Sequence, residues 1–400
     1  MTALLGFVYW WFVTRLFPLE AVGFASAIIS AMQLLGTISV LGLGTLLIGE
    51  LPRQPGNAGS LISGALIIVG GVAGGLGIAF AIFAPFLSAD FLPLRANIGS
   101  VLLFALGVSL TTITVVFDQA LIGLLRGELQ LWRNLLFSII KIVALFAISL
   151  WATLTTGLAI YTTWTIANGL SLLSIVVFFS LKRRWSSSIY RPQWKVLRKL
   201  GPAAIQHHIL NLMLIAPVQI LPIIVTAVLS VKANAWFYVA LGLSGLSAIF
   251  PVALTTVLYA ESVQRSDELM RKIRLTLSLS FVIGLLAALV LWFGASLILS
   301  LFGPSYAHEA QWCLRILSLE AFPVMIRNHY VAVRRIQDRT GSAILPIMII
   351  GAFQLICAVI GAHLADLSGL SIGWLGADCV GAIYMLPVVL RVAFPEHAAS

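Results

Sequence analysis

The sequence predicts an all-α polytopic membrane protein of about 12 transmembrane helices, arranged as two six-helix bundles related by a pseudo-two-fold axis along the membrane normal. Three observations carry that reading. Of 400 residues, 60% are hydrophobic and only 10% charged, against roughly 25% charged in soluble domains. The apolar residues gather in runs of about 20 or more, the length a helix needs to cross a bilayer's hydrocarbon. A basic tract at 182–200, KRRWSSSIYRPQWKVLRKL, then divides these runs into six and six.

Taken in order, the runs of the first half are 2–16, 21–48, 58–87, 98–124, 135–154 and 158–181. Those of the second half are 203–229, 235–259, 273–301, 311–333, 343–364 and 371–392. Polar or Gly/Pro punctuation separates them. All are far longer than the roughly 10-residue alternating segments of membrane β-barrels, so helices follow. The first run stops at Phe17-Pro18 after about 15 residues, short of a full span, and the expectation is a helix lacking part of its N-terminal end. Met1–Trp11 has neither a basic n-region nor a small-residue cleavage site, so it does not read as a signal peptide. Glycines at 70/74 and 71/75 have the GxxxG spacing of close helix packing. Pro217, Pro222, Pro251, Pro323, Pro346 and Pro387 fall inside the spans of the second half, where each removes an intrahelical hydrogen bond and favours a kink.

Orientation follows from the cations. With both termini on the cytoplasmic side, the inner loops hold Arg53, Arg126, Arg133, seven residues of the central tract, Arg265, Arg271, Lys272, Arg274, Arg334, Arg335, Arg339 and Arg391. The outer loops hold Arg15, Arg95 and Lys232. This bias is the positive-inside pattern, and it places a multi-pass chain in a cytoplasmic membrane. The central tract is a cytoplasmic loop whose later part, RPQWKVLRKL, suits a short helix in the lipid interface. The organisation is therefore 1–181 as first bundle, 182–202 as basic linker and 203–400 as second bundle. Weak similarity at an offset of about 210 residues supports two copies in parallel orientation: Ala84-Pro85-Phe86-Leu87 before Asp90 matches Leu301-Phe302-Gly303-Pro304 before Tyr306.

Ionisable residues inside spans cost about 2.5–3.5 kcal/mol each on insertion scales, so each needs a reason. The tenth run carries Arg315, Glu320, Arg327 and His329, with Glu320 and Arg327 seven residues apart and hence on one face of a continuous helix. Asp118, Lys141 and Asp378 lie in the fourth, fifth and twelfth runs. In the seventh, His208, Asn211 and Gln219 share a face, with His207 beside them. One reading is a hydrated central cavity walled by these helices. The other is internal pairing, Glu320 with Arg327 and Asp118 with Lys141.

Several classes find no support. The net charge of +10 sits in short loops rather than on one exposed face, so nucleic acid is not an expected partner. Cys313, Cys357 and Cys379 lie in apolar runs without metal-ligand spacing, which points to buried small side chains and no metal site. There is no H-E-x-x-H, no P-loop and no pair of carboxylates in an outer loop, so the chain does not read as an enzyme and no cofactor is expected.

Certain stretches resemble a known family. TRLFPLEAVGFASAIISAMQLLGTISVLGLGTLLIGELPR at 14–53 resembles the first two helices of bacterial polysaccharide or lipopolysaccharide biosynthesis membrane proteins. Those are oligosaccharide-lipid flippases of the MATE-like (MOP) superfamily, which also contains multidrug exporters and the lipid II flippase. ALIGLLRGELQLWRN at 120–134 resembles that family's loop from fourth to fifth helix, and LFGPSYAHEAQWCLRILSL at 301–319 its junction of ninth and tenth. The resemblance implies flipping of a polyprenyl-diphosphate-linked oligosaccharide by alternating access, with membrane lipids and glycan-assembly proteins as further partners. It implies cationic contacts to the diphosphate from Arg15, Arg315 and Arg327, and polar contacts to sugars from His208, Asn211 and Gln219. Asp118, Glu320 or Asp378 would couple transport to a proton or sodium gradient. The competing reading in the same architecture is a MATE-type multidrug or cation antiporter.

Overall fold

The computed structural model describes residues 2–53, 55–150, 156–181, 202–262 and 269–394. Among them the chain is helical throughout and no strand occurs. The basic tract 182–200, with the interfacial helix expected in it, lies outside the described residues. Two compact units form, Met1–Ala235 and Trp236–Ser400.

In the first unit, α1 (Thr2–Leu16) ends where Pro18 can neither donate a hydrogen bond nor leave its predecessor helical. Helix α2 (Leu19–Ser39) is buried on every side from Ala21 through Met32, as expected of a helix that is apolar all round. It is the pillar of the unit. Leu41 and Gly42 take positive φ of 52° and 75° and turn the chain into α3 (Leu43–Glu50). Then follow α4 (Ala58–Phe83), the short α5 (Leu92–Arg95) and α6 (Ile98–Gly123). Asn97 caps α6 by accepting a hydrogen bond from the Ser100 amide at 2.8 Å. Helices α7 (Gly127–Ser149), α8 (Gly157–Leu181) and α9 (Pro202–Val228) complete the unit. The start of α10 (Val231–Gly245) also belongs here: the Asn234 amide donates to the Gly23 carbonyl at 2.8 Å and to Ser26 Oγ at 2.9 Å.

The sequence repeat groups 203–229 with the second half, whereas α9 packs along α2 and falls in the first unit. Gln219 on α9 donates to Gln33 on α2 at 2.6 Å. Repeat order and spatial packing thus divide the chain at different places.

The second unit holds α11 (Ile249–Ser262), α12 (Leu269–Ser300), α13 (Pro304–Glu309), α14 (Gln311–Ser318), α15 (Ala321–Ile336) and α16 (Thr340–Ala393). The eighth and tenth expected runs are each broken, at 246–248 and at 319–320. Pro323 in the first turn of α15 explains the second break, because its ring nitrogen cannot continue the ladder from α14. Helix α16 is two helices, 340–364 and 367–393, meeting at Ala365 and Asp366, whose φ of 51° reverses the chain. Gly361 and Gly369 face each other across this hairpin so closely that a Cβ on either would overlap the other's backbone.

Eight described helices are long and apolar enough to cross a membrane, α16 counting once. Along α12, Leu286, Val290, Phe293 and Leu297 form an exposed apolar strip. An apolar surface of this extent suits lipid rather than water. The protein is an all-α polytopic membrane protein.

The two glycine stripes of α4 part company. Gly70 and Gly77 press on α6 at Ile113 and Ala105, and Ser109 donates to the Gly70 carbonyl at 3.0 Å. Gly71 and Gly75 face open space. Gly77→Leu is therefore expected to destabilise the detergent-solubilised protein by about 1–3 kcal/mol through overpacking, and Gly71→Leu by under about 0.5 kcal/mol. Comparing their thermal midpoints checks the assignment, and equal losses would contradict it.

Candidate functional site

The ionisable groups within helices fall into separate clusters in each unit. In the first, Asp118 on α6 takes both arms of the Arg133 guanidinium. Nε donates to Oδ1 at 2.6 Å and Nη2 to Oδ2 at 2.5 Å. Asn134 donates to the same Oδ2 at 3.1 Å, and Arg133 Nη1 reaches Ser171 Oγ at 3.4 Å. A planar fork matched to a carboxylate is the strongest form of side-chain ion pair. The expected pairing of Asp118 with Lys141 is corrected by this contact. Helix α7 begins at Gly127 rather than near 135, so Arg133 is a buried residue inside a helix, not a loop cation. Lys141 instead lies among the rings of Tyr9, Phe137 and Trp164.

The polar face of α9 carries three of the expected residues. Gln219 bonds Gln33, His208 hydrogen-bonds the backbone of Ile38, and Asn211 is exposed. Arg15 is exposed at the end of α1. Of the sequence-predicted candidates in the first unit, α9 therefore brings His208 and Gln219 onto α2, while Asp118 stands in its own ion-pair cluster.

In the second unit, Arg327 on α15 donates to Asp378 Oδ1 on α16 at 2.8 Å. Glu320 accepts a hydrogen bond from the indole Nε1 of Trp374 at 2.8 Å. The expected pair of Glu320 with Arg327 is corrected in the same way. Glu320 is the N-cap of α15, its carbonyl accepting from the Val324 amide at 3.1 Å, so it shares the helix with Arg327, and both side chains are taken by partners on α16 instead. Asp378 is 1% exposed, and its second carboxylate oxygen has no partner among the described residues. One arginine and two carboxylates thus come together where α15 meets α16. Arg315 donates from Nε to the Trp292 carbonyl at 3.1 Å and lies over the Trp312 ring at 4.7 Å. His329 is buried between the Met325 carbonyl and Thr276 Oγ1, at 2.9 and 3.2 Å.

Trp374, Trp164, Tyr9 and Asn134 were not singled out by sequence reasoning. Only Asn134 left a trace there, beside Arg133 in the family-like stretch 120–134. The sequence Gly369-Leu370-Ser371-Ile372-Gly373 has the G-x-S-x-G spacing of an esterase nucleophile, but Ser371 lies within a helix, not on a strand-to-helix turn. Its buried hydroxyl donates to Leu367 O at 2.7 Å and faces Cys313 Sγ at 3.1 Å, so the motif is a structural coincidence. Among the described residues no group of three His, Cys, Asp or Glu converges as a metal site.

A family model described as polysaccharide biosynthesis protein matches residues 1–201. Among solved structures, an inward-facing multidrug resistance MATE family transporter of the MOP superfamily matches with a TM-score of 0.77 and 16% identity, over 100% of this chain and 96% of that one. The lipid II flippase MurJ in an inward closed conformation matches at 0.72 and 14%, over 98% and 88%. A MOP superfamily transporter from Pyrococcus furiosus, described as having a binding pocket of reversed polarity, matches at 0.63 and 15%, over 98% and 91%. No curated protein matches by sequence. At such identities the likeness establishes a shared MATE-like fold.

The Asp118–Arg133 geometry makes a direct prediction. Arg133→Gln strands a buried carboxylate and is expected to cost about 3–5 kcal/mol. Combining Asp118→Asn with Arg133→Gln removes both charges and is expected to recover most of that loss. Thermal unfolding of the single and double variants measures the coupling. Simple additivity would show that the pair does not hold the helices together.

Proposed function

This chain belongs to the polysaccharide biosynthesis protein family, and on that footing we propose that it moves a polyprenyl-diphosphate-linked oligosaccharide from the cytoplasmic to the outer leaflet of a cytoplasmic membrane by alternating access. The observation that carries the proposal is the family match across the first 201 residues. The likeness in fold to a lipid II flippase is in keeping with it. Both termini would face the cytoplasm, and proteins of glycan assembly would supply and receive the lipid.

The task sets the chemistry. A diphosphate head group is multiply anionic, and arginine presents a rigid fork of donors that fits it. Arg315 uses Nε for the Trp292 carbonyl, which orients its guanidinium and fits a role in receiving phosphate oxygens. Arg15 would meet the head group at the end of α1. Arg327 would act through its ion pair, its charge shared between Asp378 and any anion that competes for it. His208, Asn211 and Gln219 on α9 supply neutral donors and acceptors of the kind sugar hydroxyls need.

Coupling belongs to the carboxylates. Asp378 and Glu320 sit near a single arginine, and the free oxygen of Asp378 is the natural place for a proton or sodium ion to add. Binding there would loosen Arg327 from Asp378 and so tie ion uptake to the state of the anion-binding arginine. Asp118, already saturated by Arg133 and Asn134, would take part only if that cluster opens.

Reconstituted in liposomes, the protein is expected to move a short polyprenyl-diphosphate oligosaccharide between leaflets, and a proton or sodium gradient to alter the rate. Arg315→Ala should lower that rate by about tenfold or more, equivalent to losing a charge-assisted contact of roughly 1.5–3 kcal/mol, with Arg315→Lys intermediate. Asp378→Asn should abolish the response to the gradient. Unchanged transport by Arg315→Ala would remove it from the head-group site. Efflux of a cationic dye without lipid movement would turn the reading to an antiporter.

A further inference from the structure

Lys141 is 3% exposed in the middle of α7, one helical turn after Phe137. Its ammonium nitrogen lies 4.1 Å from the ring centre of Trp164, 4.4 Å from that of Tyr9 and 4.9 Å from that of Phe137. All three fall within the about 6 Å at which an aromatic face attracts a cation. The rings come from three helices, Tyr9 from α1, Phe137 from α7 and Trp164 from α8, and they brace one another edge to face. Tyr9 and Trp164 meet at 6.1 Å and 79°, Phe137 and Trp164 at 5.7 Å and 73°. The Tyr9 hydroxyl is further fixed at 2.7 Å from Thr163 Oγ1.

No carboxylate serves this ammonium among the described residues. Asp118, the acid on neighbouring α6, is taken by both arms of Arg133. A buried cation must replace its lost hydration, and here three π faces do so. Converging aromatic faces are the geometry by which proteins recognise ammonium ligands. In this chain the box is built and its occupant is covalently attached.

We propose that Tyr9, Phe137 and Trp164 form an organic-ammonium site filled by the protein's own Lys141, which closes the first unit to the cationic compounds such a box would otherwise take. Lys141 is thereby a specificity-determining residue that acts by occupation. Cutting its side chain back to Cβ leaves a box sized for a primary alkylammonium. This inference goes beyond lipid flipping and is read by binding alone, so failure of one leaves the other standing.

The test uses the full chain in detergent, titrated calorimetrically with n-butylammonium and with n-butanol as a neutral probe of the same shape. Lys141→Ala is expected to bind n-butylammonium at least about tenfold more tightly than n-butanol, a difference of about 1.4 kcal/mol. Wild type and Lys141→Met, whose boxes stay filled, are expected to show no saturable binding. Adding Trp164→Ala to Lys141→Ala should weaken n-butylammonium binding by about tenfold. Equal binding of the two probes by Lys141→Ala, or equal binding of n-butylammonium by wild type, would overturn the proposal. Should Lys141→Ala not accumulate in folded form, recovery by n-butylammonium but not n-butanol during expression supports the site, and recovery by neither overturns it.

Discussion

A charge inside a bilayer has no water to fall back on, so each one within these helices must be answered by the protein itself. The structure meets that constraint in three ways. Arg133 grips Asp118 with both arms of its guanidinium and links α6, α7 and α8 through Ser171. Arg327 reaches from α15 to Asp378 on α16, near a second carboxylate, Glu320, that is held by the Trp374 indole. Lys141 rests among three aromatic rings. The first solution is closed and satisfied. The second leaves one carboxylate oxygen without a partner among the described residues, and that is the ground for proposing ion coupling there.

Helices are interrupted in both units, in the first at Leu41 and Gly42 between α2 and α3. The break between α14 and α15 lies at Glu320, and α16 reverses at Ala365 and Asp366. Interrupted helices expose backbone groups that hydrophobic surroundings would punish, and membrane proteins tolerate them where they are buried in protein or line a polar space. A titratable side chain at such a break is well placed to bias between two arrangements. The first unit is built on α2, which is buried along most of its length.

Much of the helical organisation was legible in the sequence, because runs of apolar residues and their Gly/Pro punctuation report directly on spans. The hairpin of 340–364 and 367–393 matches the eleventh and twelfth expected runs, and the α4 glycines pack as their spacing implies, though only on one of their two stripes. The family was legible too, from soft patterns around 14–53 and 120–134. Partner choice was not. Asp118 pairs with Arg133 rather than Lys141 because α7 starts earlier than its apolar run and carries Arg133 into the interior. Glu320 and Arg327 stay on one helix, but α16 supplies each with another partner, Trp374 for Glu320 and Asp378 for Arg327. The ring box around Lys141 draws on three helices, and of its members only Phe137 is visible from helical spacing.

The proposed substrate is anionic and lipid-linked, and the fold alone is shared with exporters of other compounds. The most direct measurement is native mass spectrometry of the purified protein in competition between a polyprenyl-diphosphate oligosaccharide and a lipophilic cationic dye. One-to-one retention of the diphosphate lipid, weakened by Arg315→Ala, is expected, with no retention of the dye. Retention of the dye in preference to the lipid would contradict the proposal.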